Sequence, residues 1–327
     1  MLSSALDRLC GGCWTILLLV CPVLGWTLLA CMLADWLLCW PALLYLGWMW
    51  LDRNTPYRGG RRLEWTRRLG LWRRAGSYFP LELVKTAELP PDGNYLLVVC
   101  PHGVFCHGAF LAFCTEAVGV SQRFPGITFR PFTLNINFYS PFVREFLMAL
   151  AGFCSVSAAS LENFLRDRRC GNNALCLVVG GASEALLSEP GTYRLVTRRR
   201  RGFAKLALSH GARLVPVLVF GETDLYDQVR RPWLARIQEQ VKDLTGVSPV
   251  LPLGQGLLQD RFGLLPRRRP LTALVGAPMF VEAVADPTRS QVEALHAEFI
   301  KQLADLFETH KHQYLADAAD DTHTTFV

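Results

Sequence analysis

Tyr95-Leu96-Leu97-Val98-Val99-Cys100-Pro101-His102-Gly103 is the stretch on which the fold of this chain turns. Six apolar residues follow the turn Pro90-Pro91-Asp92-Gly93 and stop at a proline. A short apolar run between turn signals, with no polar alternation, reads as a strand buried on both faces. Three more runs have the same form: 174–179 closed by Gly180-Gly181, 214–220 closed by Gly221, and 271–275 closed by Gly276. Helical patterns lie between and after them, at 108–118, 182–187, 203–210 and 288–314. The last carries Val292, Leu295, Phe299, Leu303 and Leu306 on one face, and Asp286-Pro287 opens it. Strands alternating with helices predict an α/β sheet domain over 81–315. The acidic, polar end from 316 to 327 reads as a disordered tail.

Ahead of this domain the composition changes. Of 327 residues 51% are hydrophobic and 19% charged, where a soluble domain carries about a quarter charged. The deficit is local, because Asp35 is the one formal charge between Arg8 and Asp52. One spanning helix needs about 20 apolar residues. The run over 12–51 is about twice that, and predicts a transmembrane hairpin turning near Asp35. Residues 1–11 then form a short cytosolic tail, and Arg8, Arg53 and Arg58 put both ends on the cytosolic side. Trp36, Trp40, Trp48 and Trp50 suit the interface belt. The arginine-rich segment 52–80 spaces Trp65, Leu69 and Trp72 as in a helix. It reads either as an amphipathic helix on the membrane or as a surface helix with its apolar stripe on the domain.

The net charge of +6 suits an anionic membrane surface or a phosphate-bearing substrate. No nucleic-acid-binding module is recognisable. The eleven cysteines are scattered, several of them in apolar runs, unlike a secreted disulfide scaffold.

In an open α/β sheet, sites collect beyond the carboxyl ends of strands. There His102 is a candidate general base, with Gly103 allowing close approach to the backbone. After the second run, Gly180 and Gly181 lead into a helix, an arrangement suited to an anion or an oxyanion, and Glu184 follows. Arg198, Arg200, Arg201 and Lys205 form a basic run before the next helix, with arginine forks that match phosphate oxygens. Cys100, His102, Cys106 and His107 crowd into one turn, whereas zinc sites draw ligand pairs from separate segments, so no metal is expected.

Several of these stretches together resemble the type-2 diacylglycerol acyltransferase family of monoacylglycerol, diacylglycerol and wax-alcohol acyltransferases. They are Arg58-Gly59-Gly60-Arg61-Arg62, Tyr78-Phe79-Pro80, Leu83-Val84-Lys85-Thr86-Ala87-Glu88-Leu89-Pro90-Pro91, Pro101-His102-Gly103, Phe124-Pro125-Gly126-Ile127, Val179-Gly180-Gly181-Ala182 with Glu184, Arg201-Gly202-Phe203, and Phe220-Gly221-Glu222. The stretch ending at Pro91 looks nearest to the monoacylglycerol branch. The resemblance implies a multi-pass endoplasmic reticulum enzyme facing the cytosol, with the lipid droplet as a second location. It implies acyl-CoA as co-substrate, a neutral-lipid alcohol as acceptor, no cofactor and the lipid bilayer as partner, and it leaves room for a homo-oligomer. In its His-Pro-His-Gly signature the first position is here Cys100 and the second histidine is His102. Direct transfer with His102 as base is the expected mechanism, with Glu184, or secondarily Glu116, as acid partner. Cys100 leaves two alternatives open: an acyl-cysteine route, and a catalytically silent member acting as a lipid-binding or membrane-scaffold protein.

Overall fold

The computed structural model describes residues 2–166, 172–247, 249–315 and 322–327. Its strands in chain order are β1 (Leu81–Lys85), β2 (Tyr95–Cys100), β3 (Thr128–Thr133), β4 (Cys154–Ser155), β5 (Asn173–Val178) and β6 (Tyr193–Leu195). Then come β7 (Arg213–Phe220), β8 (Asp227–Gln228), β9 (Pro252–Leu253), β10 (Leu271–Val275) and β11 (Thr324–Phe326). Seven of them form the main sheet, in the order β1-β10-β7-β2-β5-β3-β4. β2 runs parallel to both neighbours, with Leu97 level with Cys176 of β5 on one side and Val215 of β7 on the other.

Every residue of β2 is buried, and the period of two sorts them between two cores. Leu96, Val98 and Cys100 join Phe203, Phe299, Leu303 and Phe307. Tyr95, Leu97 and Val99 join Phe113, Phe124 and Phe129 on the opposite face. Burial on both faces accounts for the unbroken apolar run, with each large side chain contributing about 1.5–3 kcal/mol. The helix Arg289–Tyr314 packs on the first core through Val292, Phe299, Leu303 and Phe307. Its start is fixed by a capping box, Thr288 with Gln291, rather than by Asp286-Pro287.

Other expectations change. The helix expected at 108–118 is His107–Ala109 followed by a wide π turn, Phe110–Cys114, which gives way to extended backbone at Thr115. The basic segment is not one helix. Leu69 is extended and separates Glu64–Arg67 from Gly70–Tyr78. That break sends Trp72 into the core against Phe110 while Trp65 stays 64% exposed, so the two tryptophans share no stripe. Arg67 is buried too, paired with Glu116 at 3.1 Å and donating to the Cys114 carbonyl. The tail is also partly ordered, because β11 lies parallel to β6. Residues 316–321 of that expected tail lie outside the described residues.

The N-terminus is helix from Leu2, not a tail. Leu2–Thr15 runs through a π turn at Ile16–Val20 into Cys21–Ala34. Its first half packs on the domain, with Gly11 against the Tyr78 ring and Arg8 paired with Asp260. The stretch Ser4–Ala34 is long and apolar enough to cross a membrane. The turn falls at Asp35, as expected, where its carboxylate accepts the N–H groups of Leu37 and Leu38 at 2.9 Å each. The return helix Cys39–Leu51 has 13 residues. At 1.5 Å per residue it is about 20 Å long, short of the roughly 30 Å hydrocarbon core. Its end is tied to the domain by Asp52, which takes the buried Arg144 guanidinium at 2.9 Å.

Candidate active site

Three neighbouring parallel strands end together at one edge of the sheet, and each leads to one polar residue, two of them two positions past the strand and one on the first turn of the helix Gly181–Leu187 that follows. β2 delivers His102, β5 delivers Glu184 and β7 delivers Glu222. This is the edge at which open α/β sheets place ligands.

The loop 102–106 is held at both ends by buried carboxylates. At its start, the backbone N–H of His102 donates to Glu184 Oε1, while the N–H of Val196 donates to Glu184 Oε2 at 2.8 Å. At its end, the N–H groups of His107 and Gly108 donate to the two oxygens of Glu222, each at 2.7 Å. Between the clamps the loop closes on itself, Cys106 N–H to the His102 carbonyl at 3.1 Å. Gly103 cannot be replaced without strain. Its φ is +57°, and a Cβ there would lie 2.6 Å from Glu222 Cγ. Gly180 is needed for space alone, since a Cβ would run into the Glu184 carboxylate, whereas Gly181 has free space around it but a φ of +55° that disfavours any side chain. Burial pushes both carboxyls up, each to about 7, against the opposing pull of the backbone donors.

His102 is half-buried. Its Nδ1 lies 3.1 Å from the Gly103 carbonyl oxygen. Only the tautomer with the proton on Nδ1 makes that contact a hydrogen bond, and it leaves the lone pair on Nε2. Burial lowers the pKa of this imidazole, which keeps it neutral. Among the described residues no carboxylate reaches its ring. Glu184, expected as acid partner of the ring, holds the backbone of His102 instead, and Glu116 is turned away to Arg67 and Ser121.

Behind the loop lies a second histidine whose role sequence reasoning missed. His107 is fully buried, with its pKa pushed down to about 3 by burial, so it is neutral. Its Nε2 shares a hydrogen bond with Thr15 Oγ1 at 3.0 Å, and that hydroxyl meets the Tyr226 hydroxyl at 2.7 Å. Trp14 donates its indole N–H to the Phe105 carbonyl at 2.6 Å and stacks on Phe110. The N-terminal helix thus braces the back of the site across some ninety residues of chain. No local pattern announces this, because Trp14 and Thr15 sit in an apolar run with no periodic mark of their own.

Cys100 is fully buried in β2, and its thiol is pushed well above its ordinary pKa by that burial and by the nearby Glu184 charge. A thiol in that state is a poor nucleophile. The basic run is divided. Arg201 pairs with Glu293 on the last helix. Arg198 and Lys205 are exposed, and among the described residues neither bonds to the His102 loop. Arg200 lines a cavity together with Arg199. His296, on the inner face of the last helix, meets the Thr197 carbonyl at 3.0 Å and so ties that helix to the loop after β6.

The chain is 43% identical to human acyl-CoA wax alcohol acyltransferase 1 over 279 residues, covering 84% of each chain. It is 42% identical to bovine 2-acylglycerol O-acyltransferase 1 over 273 residues, 83% of this chain and 81% of the relative. It is 43% identical to diacylglycerol O-acyltransferase 2 of Xenopus tropicalis over 274 residues, 83% of this chain and 75% of the relative. The names carry three different acceptors at nearly equal identity, so identity does not choose the monoacylglycerol branch over the others. The family model described as diacylglycerol acyltransferase matches residues 31–325, from the end of the first apolar helix into the last strand. This chain therefore belongs to the diacylglycerol acyltransferase family and is an acyltransferase.

Proposed function

We propose that this enzyme moves a fatty-acyl group from acyl-CoA to the hydroxyl of a neutral-lipid alcohol, with His102 as general base. The observation that carries this reading is the imidazole itself, its Nδ1 engaged by the Gly103 carbonyl at 3.1 Å and Nε2 left as acceptor at a half-buried strand end. His102 Nε2 takes the proton of the acceptor hydroxyl, and the oxygen attacks the thioester carbon. Backbone N–H groups near Gly103 or Gly181 receive the oxyanion. The carbon–sulfur bond breaks, and the imidazolium returns its proton to the sulfur, so that CoA leaves as a thiol and the histidine is neutral again. Glu184 positions the base through the backbone. From the basic run of Arg198, Arg200, Arg201 and Lys205, Arg200 serves the donor's phosphates, since it lines a cavity while Arg201 is paired with Glu293.

The acceptors named in the relatives, acylglycerol and wax alcohol, support a neutral-lipid alcohol here. The setting is the endoplasmic reticulum membrane, with the domain facing the cytosol and the lipid droplet as a second location. Support for a bilayer comes from the apolar return helix, where Trp40 is 66% and Leu44 76% exposed. Arg53 and Arg58 beyond them favour the cytosolic side. The test is acyl transfer from labelled oleoyl-CoA in membranes carrying the chain, with monoacylglycerol, diacylglycerol and hexadecanol offered separately. One acceptor should give ester well above the mock membranes. Absence of ester with all three, from well-expressed protein, would overturn the reading.

A pH profile probes the two clamps. Glu184 and Glu222 each take up a proton near pH 7, and a protonated carboxyl no longer accepts through both oxygens. Both must be ionised to hold the loop, so kcat/KM should fall as pH drops below about 7, more steeply than a single titration. In Glu184→Gln one titrating group is gone, and the acid limb near pH 7 should lose one titration, leaving Glu222 there and the base His102 at lower pH. An acid limb of unchanged steepness in that variant would remove Glu184 from the mechanism.

A further inference from the structure

We propose that the cavity between the helices Gly181–Leu187 and Pro232–Thr245 binds the phosphate-bearing nucleotide end of acyl-CoA through Arg199, Arg200 and Lys242. The proposal rests on the donor reading above and says where that donor sits. The cavity measures about 380 Å³, within the size range of small-ligand pockets. Its cations come from two segments distant in sequence: Arg199 and Arg200 from the loop after β6, and Lys242 from the helix Pro232–Thr245. Glu239 bonds Lys242 at 2.6 Å and holds its ammonium in place, one side-chain carboxylate against three cations. Guanidinium forks match phosphate oxygens, and an ammonium serves as a point charge beside them. Leu186, Leu187 and Val196 add an apolar wall, which suits the face of an adenine ring.

The place in the fold is what ties this cavity to the chemistry. Val196 forms part of its wall, and the Val196 N–H donates to Glu184 Oε2 at 2.8 Å. The other oxygen of the same carboxylate takes the N–H of His102. One side chain thus joins the cavity wall to the loop bearing the base. A nucleotide anchored there can direct its thioester arm toward His102. The fold also selects within the arginine run, because Arg201 is taken by Glu293 on another helix while Arg199 and Arg200 face the cavity. A second cavity of about 400 Å³ near the N-terminus also holds arginines. There Arg8 is paired with Asp260 and Arg74 with Asp7, so two side-chain carboxylates face its three arginines, against one facing three cations in the first cavity.

The experiment uses the full chain in detergent micelles, wild type beside R199E and R199E/K242E. Binding of CoA and of 3′,5′-adenosine bisphosphate is measured by calorimetry. KM and kcat are measured for oleoyl-CoA and for oleoyl-pantetheine, which lacks the nucleotide. Expected is a rise in KM for oleoyl-CoA of about tenfold or more per lost charged contact. Alongside it, kcat and all constants for oleoyl-pantetheine should stay unchanged, and binding of both nucleotides should be lost. Wild-type binding and KM in the double variant would overturn the site, as would an equal loss with oleoyl-pantetheine, which marks general damage. Wild-type protein that binds CoA in a variant-sensitive way yet forms no ester would keep the site and sink the transfer reading. Wild-type protein that binds no CoA would sink both.

Discussion

His102→Ala should lower turnover with oleoyl-CoA by about 10²–10⁴-fold, the usual worth of a general base. KM should move little, because in the proposed transfer the ring acts on the reacting hydroxyl, and the half of the residue that the fold depends on is its backbone. That backbone is retained in the variant: the N–H to Glu184 and the carbonyl accepting from Cys106 need no side chain. Membrane insertion and the unfolding midpoint should therefore match the wild type, and the loss should be one of kcat. His102→Gln is a useful companion, since an amide fills similar space without a basic nitrogen. Near-wild-type turnover in both variants would end the assignment of His102. A loss accompanied by a collapsed unfolding midpoint would instead point to a structural role.

Glu222→Ala should cost more in stability than any other substitution at the site. The N–H groups of His107 and Gly108 would lose their acceptors where His107 is wholly shut off from water. A buried donor left unpaired costs about 1–3 kcal/mol, so the pair amounts to about 2–6 kcal/mol before the void beside Gly103 is added. Folded proteins are stable by about 5–15 kcal/mol in all, so the change is a large fraction of the total. The measurement is a denaturant or thermal midpoint of the full chain in detergent. Glu222→Gln should lose less, because the amide keeps the shape and one acceptor, although its NH₂ then faces a backbone N–H. Activity should fall in both, because the clamp at 107–108 sets the far end of the loop that carries His102. A wild-type midpoint for Glu222→Ala would mean that water or the neighbouring hydroxyls take over the two donors.

Several features were legible in the residues because each is written in consecutive positions. β2, β5, β7 and β10 are apolar runs because strands covered on both faces have no solvent side to encode. The turn at Asp35 stands out as a lone charge in an apolar field. His102 could be read as a base because the proline and glycine around it mark a strand end, and Glu184 because it follows the double glycine one strand over. The family resemblance ran through Phe220-Gly221-Glu222 but gave Glu222 no task, since nothing near it in sequence is its partner.

What the residues fixed by themselves is the identity of the strands, the apolar N-terminal helix, and the presence of a histidine and a carboxylate at strand ends. Which groups meet was decided only by the tertiary structure. Crossovers lay β7 and β5 on either side of β2, and this brings Glu222 and Glu184 to the two ends of one loop from 115 and 82 residues away. The same folding turns Glu184 to the backbone of His102 rather than its ring, presses Thr15 against His107, and sends Arg200 and Arg201 to different partners. Periodicity and turn chemistry report on neighbours a few positions apart. A buried carboxylate is placed by whichever backbone donors the packing leaves without partners, and those donors are known only once the sheet has closed around them.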